Sequence, residues 1–126
     1  MELNDYQFRA METCMLSCDN ISYMLLNLVG EVGEFASKVA KEIRKDTAYI
    51  GGGHSHLVFD WQTDEQLEHA VKVKTELRKE AGDILWQIAG LCHAMGWNLE
   101  DVAQENLDKL RDRAKRGVIL GSGDNR

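Results

Sequence analysis

Apolar residues recur along the chain at the three- and four-residue spacing of helices, and no proline interrupts them. This spacing predicts four helices, over about residues 4–18, 22–45, 64–95 and 99–115. Asn98, followed by Asp101 three residues later, is expected to cap the fourth helix, and Gly96 to end the third. We therefore expect a single all-α domain over residues 1–126, built as a four-helix bundle.

Segment 47–63 interrupts this pattern between the second and third helices. It contains three consecutive glycines from Gly51, followed by His54 and His56. The segment predicts an irregular insert, either a loop or a short hairpin. It lacks the lysine of a phosphate-binding P-loop, and two histidines without a nearby cysteine make a poor zinc site.

Two carboxylate pairs with the same i, i+3 spacing lie in stretches that are otherwise apolar. They are Glu31 with Glu34, and Glu80 with Asp83. Residues three apart share a helix face, so each pair points to one side of its helix. Charges beside a core cost free energy unless something compensates them. Four carboxylates on two helices predict a bound divalent cation, Mg²⁺ or, as the alternative, Mn²⁺.

Each carboxylate pair belongs to a longer polar strip. The strips are Asn27, Glu31, Glu34 and Lys38 on the second helix, and Glu76, Glu80, Asp83 and Gln87 on the third. If the two helices pack together, the strips can face one cleft. A single such pair is common on a solvated helix face, so the prediction depends on finding two pairs in apolar surroundings.

The fourth helix and the tail offer further polar groups. Asn106, Lys109 and Arg113 lie on or beside the apolar face of the helix. Such cations often extend to solvent or pair with an acid, but they also suit phosphate oxygens. The tail, residues 116–126, holds three glycines and ends in Arg126. It is either a disordered terminus or a segment that closes over a phosphate chain.

Three motifs together resemble the MazG family of all-α nucleoside triphosphate pyrophosphohydrolases. They are GEVGEF at 30–35, EAGDILW at 80–86 and NLDKLRDR at 106–113. That family carries Glu-x-x-Glu, then Glu-x-x-Asp, then Asn-x-x-Lys with a following arginine. Many members have a double glutamate in the first motif, whereas here Gly30 precedes Glu31.

The resemblance implies a Mg²⁺-dependent hydrolase that converts a nucleoside or deoxynucleoside triphosphate and water into the monophosphate and pyrophosphate, in housekeeping of the nucleotide pool. Metal binding and catalysis are then expected of Glu31, Glu34, Glu80 and Asp83. The expected substrate-binding residues are Asn27, Lys38, Asn106, Lys109, Arg113 and Arg126. A non-catalytic helical protein that binds a metal or a nucleotide is the alternative. A di-iron bundle is disfavoured because no glutamate is followed three residues later by histidine.

The composition of the chain limits the classes of partner and the cellular location that we expect for the protein. The 126 residues carry 15 basic and 21 acidic side chains, a net charge of −6, which argues against a nucleic-acid-binding surface. No apolar run is long enough to cross a membrane, and no signal peptide is recognisable. Three cysteines without zinc spacing suggest reduced thiols in a cytoplasmic protein. Apolar residues on more than one helix side, such as Val29 and Ala36, predict a homo-oligomer, a dimer or a tetramer.

Overall fold

The structure is a computed structural model that describes residues 1–51 and 56–123. Across these residues the elements are α1 Leu3–Met11, a 3₁₀ turn Leu16–Cys18, α2 Ile21–Arg44, β1 Ala48–Ile50, β2 Leu57–Phe59, α3 Asp64–Ala94 and α4 Leu99–Lys115. The predicted all-α class is therefore confirmed. The chain divides into two compact units, one formed by Ser22–Ile88 and the other by Met1–Ile21 with Ala89–Arg126.

The first helix is shorter than the sequence predicted. It ends at Met11 instead of continuing to Cys18. The side-chain oxygen of Thr13 donates to the carbonyl of Ala10 at 2.7 Å, and the Thr13 backbone N–H bonds the same carbonyl at 3.1 Å. A turn therefore takes up the last carbonyls of α1, and the helix does not propagate. The other three helices begin and end within one residue of the predicted bounds.

The unit Ser22–Ile88 has its core between α2, α3 and the hairpin. The buried core residues are Ala48, Phe59, Ala70, Val73 and Leu77, with Phe35, Val39 and Leu57 packed against them. The two strands pair antiparallel, with Ala48 opposite Phe59. Of the two predicted alternatives for the insert, its described part is a hairpin, because Val58 and Phe59 favour a strand. Residues 52–55, which include His54, lie outside the described part of the chain.

The other unit packs α1 against α4 and the last turns of α3. Its core contains Ala89, Cys92 and Leu99, with Tyr6, Met11 and Val102 beside them. As predicted, Gly96 follows the end of α3, with a φ of 72° that a residue with a side chain rarely adopts. Within the described residues, no helix is both long enough and apolar enough to pass through a bilayer.

The first amides of α4 are capped by side chains of α1. Gln7 Oε1 accepts from the backbone N–H of Leu99 at 2.9 Å, and Asn4 Oδ1 accepts from that of Glu100 at 3.1 Å. Asn98 occupies the predicted N-cap position, but its side chain makes no cap hydrogen bond and donates to Asp101 at 3.1 Å instead. The predicted position of the cap is therefore right, whereas the predicted capping group is wrong.

Candidate active site

Three of the four predicted carboxylates come together in the unit Ser22–Ile88. Glu31 from α2 and Glu80 and Asp83 from α3 each place one oxygen within 4.8 Å of the others. Glu80 and Asp83 can do so because i, i+3 spacing places them on one face of α3. Carboxylate oxygens this close repel one another unless a proton or a cation lies between them. We call Glu31, Glu80 and Asp83 the carboxylate cluster.

The pKa of Glu31 is raised above its ordinary value. Burial is the largest cause, and the negative charges of Glu34, Asp83 and Glu80 raise it further. Asn27 opposes them, since its Nδ2 donates to Glu31 Oε1 at 3.1 Å and so favours the ionised form. This single hydrogen bond does not offset the other effects. The protein surroundings of Glu31 therefore favour its neutral form more than water does.

The other two members of the α2 strip lie at the edge of the carboxylate cluster. Glu34 is exposed and lies outside the group of oxygens that converge, although its charge acts on Glu31. Lys38 places Nζ 3.4 Å from Glu80 Oε1. An ammonium group therefore lies beside the cluster on the side away from Asn27.

A family model described as the MazG nucleotide pyrophosphohydrolase domain matches residues 20–118. This protein belongs to the MazG family. A relative named Gene 37 protein, from Mycobacterium phage L5, is 37% identical over an alignment of 133 positions that covers 100% of each chain. Its name states no activity. Comparison with solved structures found no match.

The polar residues of the third MazG motif lie on α4, in the unit that includes Ala89–Arg126. Asn106 and Lys109 are exposed, whereas Arg113 is buried. The Nη2 of Arg113 donates to the carbonyl of Gly123 at 3.2 Å, so Arg113 holds the tail near the end of α4. Gly123 has a φ of 78°, which suits a glycine. Arg126 lies outside the described residues.

Glu42 is a buried carboxylate that the sequence did not single out. Glu42 is 5% exposed, and Thr47 Oγ1 donates to its Oε2 at 2.5 Å. The same carboxylate oxygen lies 2.6 Å from His69 Nε2. Glu42 follows Lys38 by four residues on the same face of α2, so its position was readable from the spacing. Its partners were not readable, because Thr47 lies in the turn after α2 and His69 lies on α3.

The pKa of Glu42 is lowered, in contrast to that of Glu31. Burial is the largest single effect and raises it, but hydrogen bonds with Thr47 and His69 lower it. The charges of His69 and Lys45 act in the same direction. The net result is a lowered pKa, so the protein supplies its own compensation for the charge of Glu42.

Proposed function

We propose that this MazG protein is a nucleoside triphosphate pyrophosphohydrolase that acts with a divalent cation. Water and a nucleoside or deoxynucleoside triphosphate yield the monophosphate and pyrophosphate, in housekeeping of the nucleotide pool. The observation that carries the proposal is the approach of Glu31, Glu80 and Asp83 to within 4.8 Å of one another. Membership of the MazG family supports the same reaction.

The donor set suits a hard divalent cation. Every ligand on offer is a carboxylate oxygen, which favours Mg²⁺ or Mn²⁺ over softer metals. Glu31, Glu34, Glu80 and Asp83 would hold the ion, and the raised pKa of Glu31, caused by burial and by the neighbouring carboxylates, supports this assignment. A bound cation neutralises phosphate charge and makes a coordinated water more acidic.

The protein residues then bind the phosphates and move a proton. The new bond joins the water oxygen to phosphorus, and the bond that breaks links the α- and β-phosphates. A carboxylate oxygen that is not occupied by the cation accepts the proton of the water. Lys38 provides positive charge beside the cluster. We assign phosphate binding also to Asn106, Lys109, Arg113 and Arg126, and a hydrogen-bonding role to Asn27.

We also propose that the enzyme is a homo-oligomer, a dimer or a tetramer. Leu26 and Val29 on α2 are 76% and 74% exposed, which is unusual for large apolar side chains of one helix. A second copy of this chain would cover them. Its surface of α2 has the same apolar residues, as a two-fold interface requires.

The decisive experiment incubates the full chain with a panel of nucleoside and deoxynucleoside triphosphates and Mg²⁺, and measures pyrophosphate and orthophosphate separately. We expect pyrophosphate from at least one nucleotide, and loss of activity with chelator. Glu80→Gln should reduce the rate at least about 100-fold. Glu68→Gln, which alters an exposed glutamate of the same helix, is the matched control and should be neutral.

Metal binding is measured independently by calorimetric titration of Mg²⁺ and Mn²⁺. Cation binding that Glu80→Gln weakens, without pyrophosphate release from any nucleotide, would favour the non-catalytic alternative. Release of orthophosphate alone would contradict the proposed bond cleavage.

A further inference from the structure

Gln87 is buried, yet its amide oxygen receives no hydrogen bond from the described residues. The residue is 3% exposed. A buried acceptor without a donor costs free energy, so each case in a folded protein needs a reason. Gln7, which is also buried, shows the usual situation. Its Nε2 donates to the carbonyls of Ala89 and Trp97, and its Oε1 accepts from Leu99.

Gln87 leaves α3 on the same side as the carboxylate cluster. Glu80, Asp83 and Gln87 follow one another at i, i+3 and i+7, and these positions share one helix face. A rise of about 1.5 Å per residue places Gln87 about 6 Å beyond Asp83 along the helix axis. The unpaired oxygen therefore lies one turn past the cluster.

The contacts between α2 and α3 identify what lies opposite. The two helices run antiparallel, because Glu31 meets residues 80–83, whereas Glu42, further along α2, meets His69, earlier on α3. In this antiparallel arrangement, the residues of α3 that follow Asp83 lie opposite the turn of α2 that precedes Glu31. That turn holds Asn27, whose amide already donates to Glu31.

The polar strip that α2 and α3 share thus has two unlike ends. One end holds the ammonium group of Lys38 together with the carboxylate of Glu76, and the other end holds the neutral amides of Asn27 and Gln87. A nucleoside triphosphate has the same asymmetry, since a charged phosphate chain is joined to a neutral nucleoside. The phosphates suit the end that offers the ammonium group of Lys38, and the neutral nucleoside suits the end that offers the amides of Asn27 and Gln87.

We propose that Gln87 binds the sugar of the nucleotide, with Oε1 accepting a hydrogen bond from a sugar hydroxyl. This inference rests on the function proposed above. The sugar is the first part of the nucleoside beyond the α-phosphate, and Gln87 is one helical turn beyond the carboxylates. The hydroxyl supplies the donor that the described residues do not, so the cost of the buried acceptor is recovered when the nucleotide binds.

The first test compares the two buried glutamines in the full chain without nucleotide. Gln87→Met keeps the side-chain length and removes an acceptor that stabilises nothing, so its Tm should equal or exceed that of the wild type. Gln7→Met removes three satisfied hydrogen bonds and should lower Tm by about 5 °C or more. If Gln87→Met lowers Tm as much as Gln7→Met, Gln87 is a structural residue and the proposal is overturned.

The second test measures pyrophosphate release from the ribonucleotide, 2′-deoxynucleotide and 3′-deoxynucleotide of one base. Removal of the hydroxyl that Gln87 binds should raise the wild-type KM about 5- to 100-fold, with a smaller change in kcat. Gln87→Met should have the raised KM even with the nucleotide that retains this hydroxyl. Its KM should not rise further with the analogue that lacks the hydroxyl.

Equal wild-type KM values for all three nucleotides would overturn the proposal, even if Gln87→Met does not fold. The proposal is also overturned if the change in KM caused by Gln87→Met depends on the base of the nucleotide and not on the presence of the hydroxyl. Both results leave the proposed hydrolysis intact. Failure of the wild type to release pyrophosphate from any nucleotide would instead refute the proposed function, and this inference with it.

Discussion

Glu31 and Glu42 lie on the same face of α2, three turns apart, and both meet α3. Around Glu42 the protein supplies donors, from Thr47 and His69, and the pKa of the carboxyl falls. Around Glu31 it supplies burial and further negative charge, and the pKa rises. The comparison separates a carboxylate whose charge the protein compensates, Glu42, from one whose neutral form it favours, Glu31.

The largest expected effect is the loss of activity in Glu31→Gln. Pyrophosphate release should fall at least about 100-fold because a carboxylate of the cluster is lost. Thermal unfolding without added metal should occur at the same temperature or higher, because one of several like charges is removed. Calorimetry and the pyrophosphate assay measure the two effects on the same sample.

The control for that variant is Glu68→Gln, at an exposed position on α3, which should change neither quantity. Wild-type activity of Glu31→Gln would remove Glu31 from the catalytic group. A fall in Tm would place Glu31 in the same structural role as Glu42.

For Glu42→Ala we expect a smaller effect, on stability and not on activity. The free energy of unfolding should fall by about 1–3 kcal/mol, because Thr47 and His69 lose their shared acceptor. Urea denaturation measures this loss, and Glu68→Ala serves as the exposed control. The kcat/KM of the folded fraction should be retained. A selective loss of activity at unchanged stability would contradict the structural role of Glu42.

The smallest effect concerns the dependence of stability on pH. The pKa of Glu42 is below its ordinary value of 4.5, so the unfolded chain binds the proton more readily. The contribution of Glu42 is therefore complete above pH 4.5 and is lost as the pH falls through the lowered pKa. Glu42→Gln should therefore reduce the loss of folding stability at low pH. The size of this loss depends on His69, Lys45 and Thr47 as well, since they lower the pKa of Glu42.

The sign is reversed for Glu31, whose pKa is above 4.5. Its folded form binds the proton more readily, so stability falls as the pH rises through the raised pKa. Glu31→Gln should therefore gain stability relative to the wild type as the pH rises from about 4 to about 8, in urea titrations with chelator present. A constant difference across this range would show that the pKa of Glu31 is not raised, either by burial or by the charges of Glu34, Asp83 and Glu80.

The sequence predicted the parts of this fold that depend on local spacing. The apolar periodicity placed α2, α3 and α4 within one residue of their bounds, because helical periodicity is a property of neighbouring residues. The spacing within GEVGEF and EAGDILW likewise placed each acidic pair on one side of its helix. The predicted first helix was too long, since the hydrogen bond from Thr13 to Ala10 leaves no trace in the apolar pattern.

The sequence by itself thus determined the helices, the acidic strips and the family motifs. Only the tertiary structure decided which buried polar groups find partners. In the folded chain, Gln7 caps the start of α4, and Glu42 contacts His69 of α3. The side-chain oxygen of Gln87 receives no hydrogen bond from the described residues. The physical reason is that helical spacing places a side chain on a face of its own helix. What it meets there depends on residues far away in the chain.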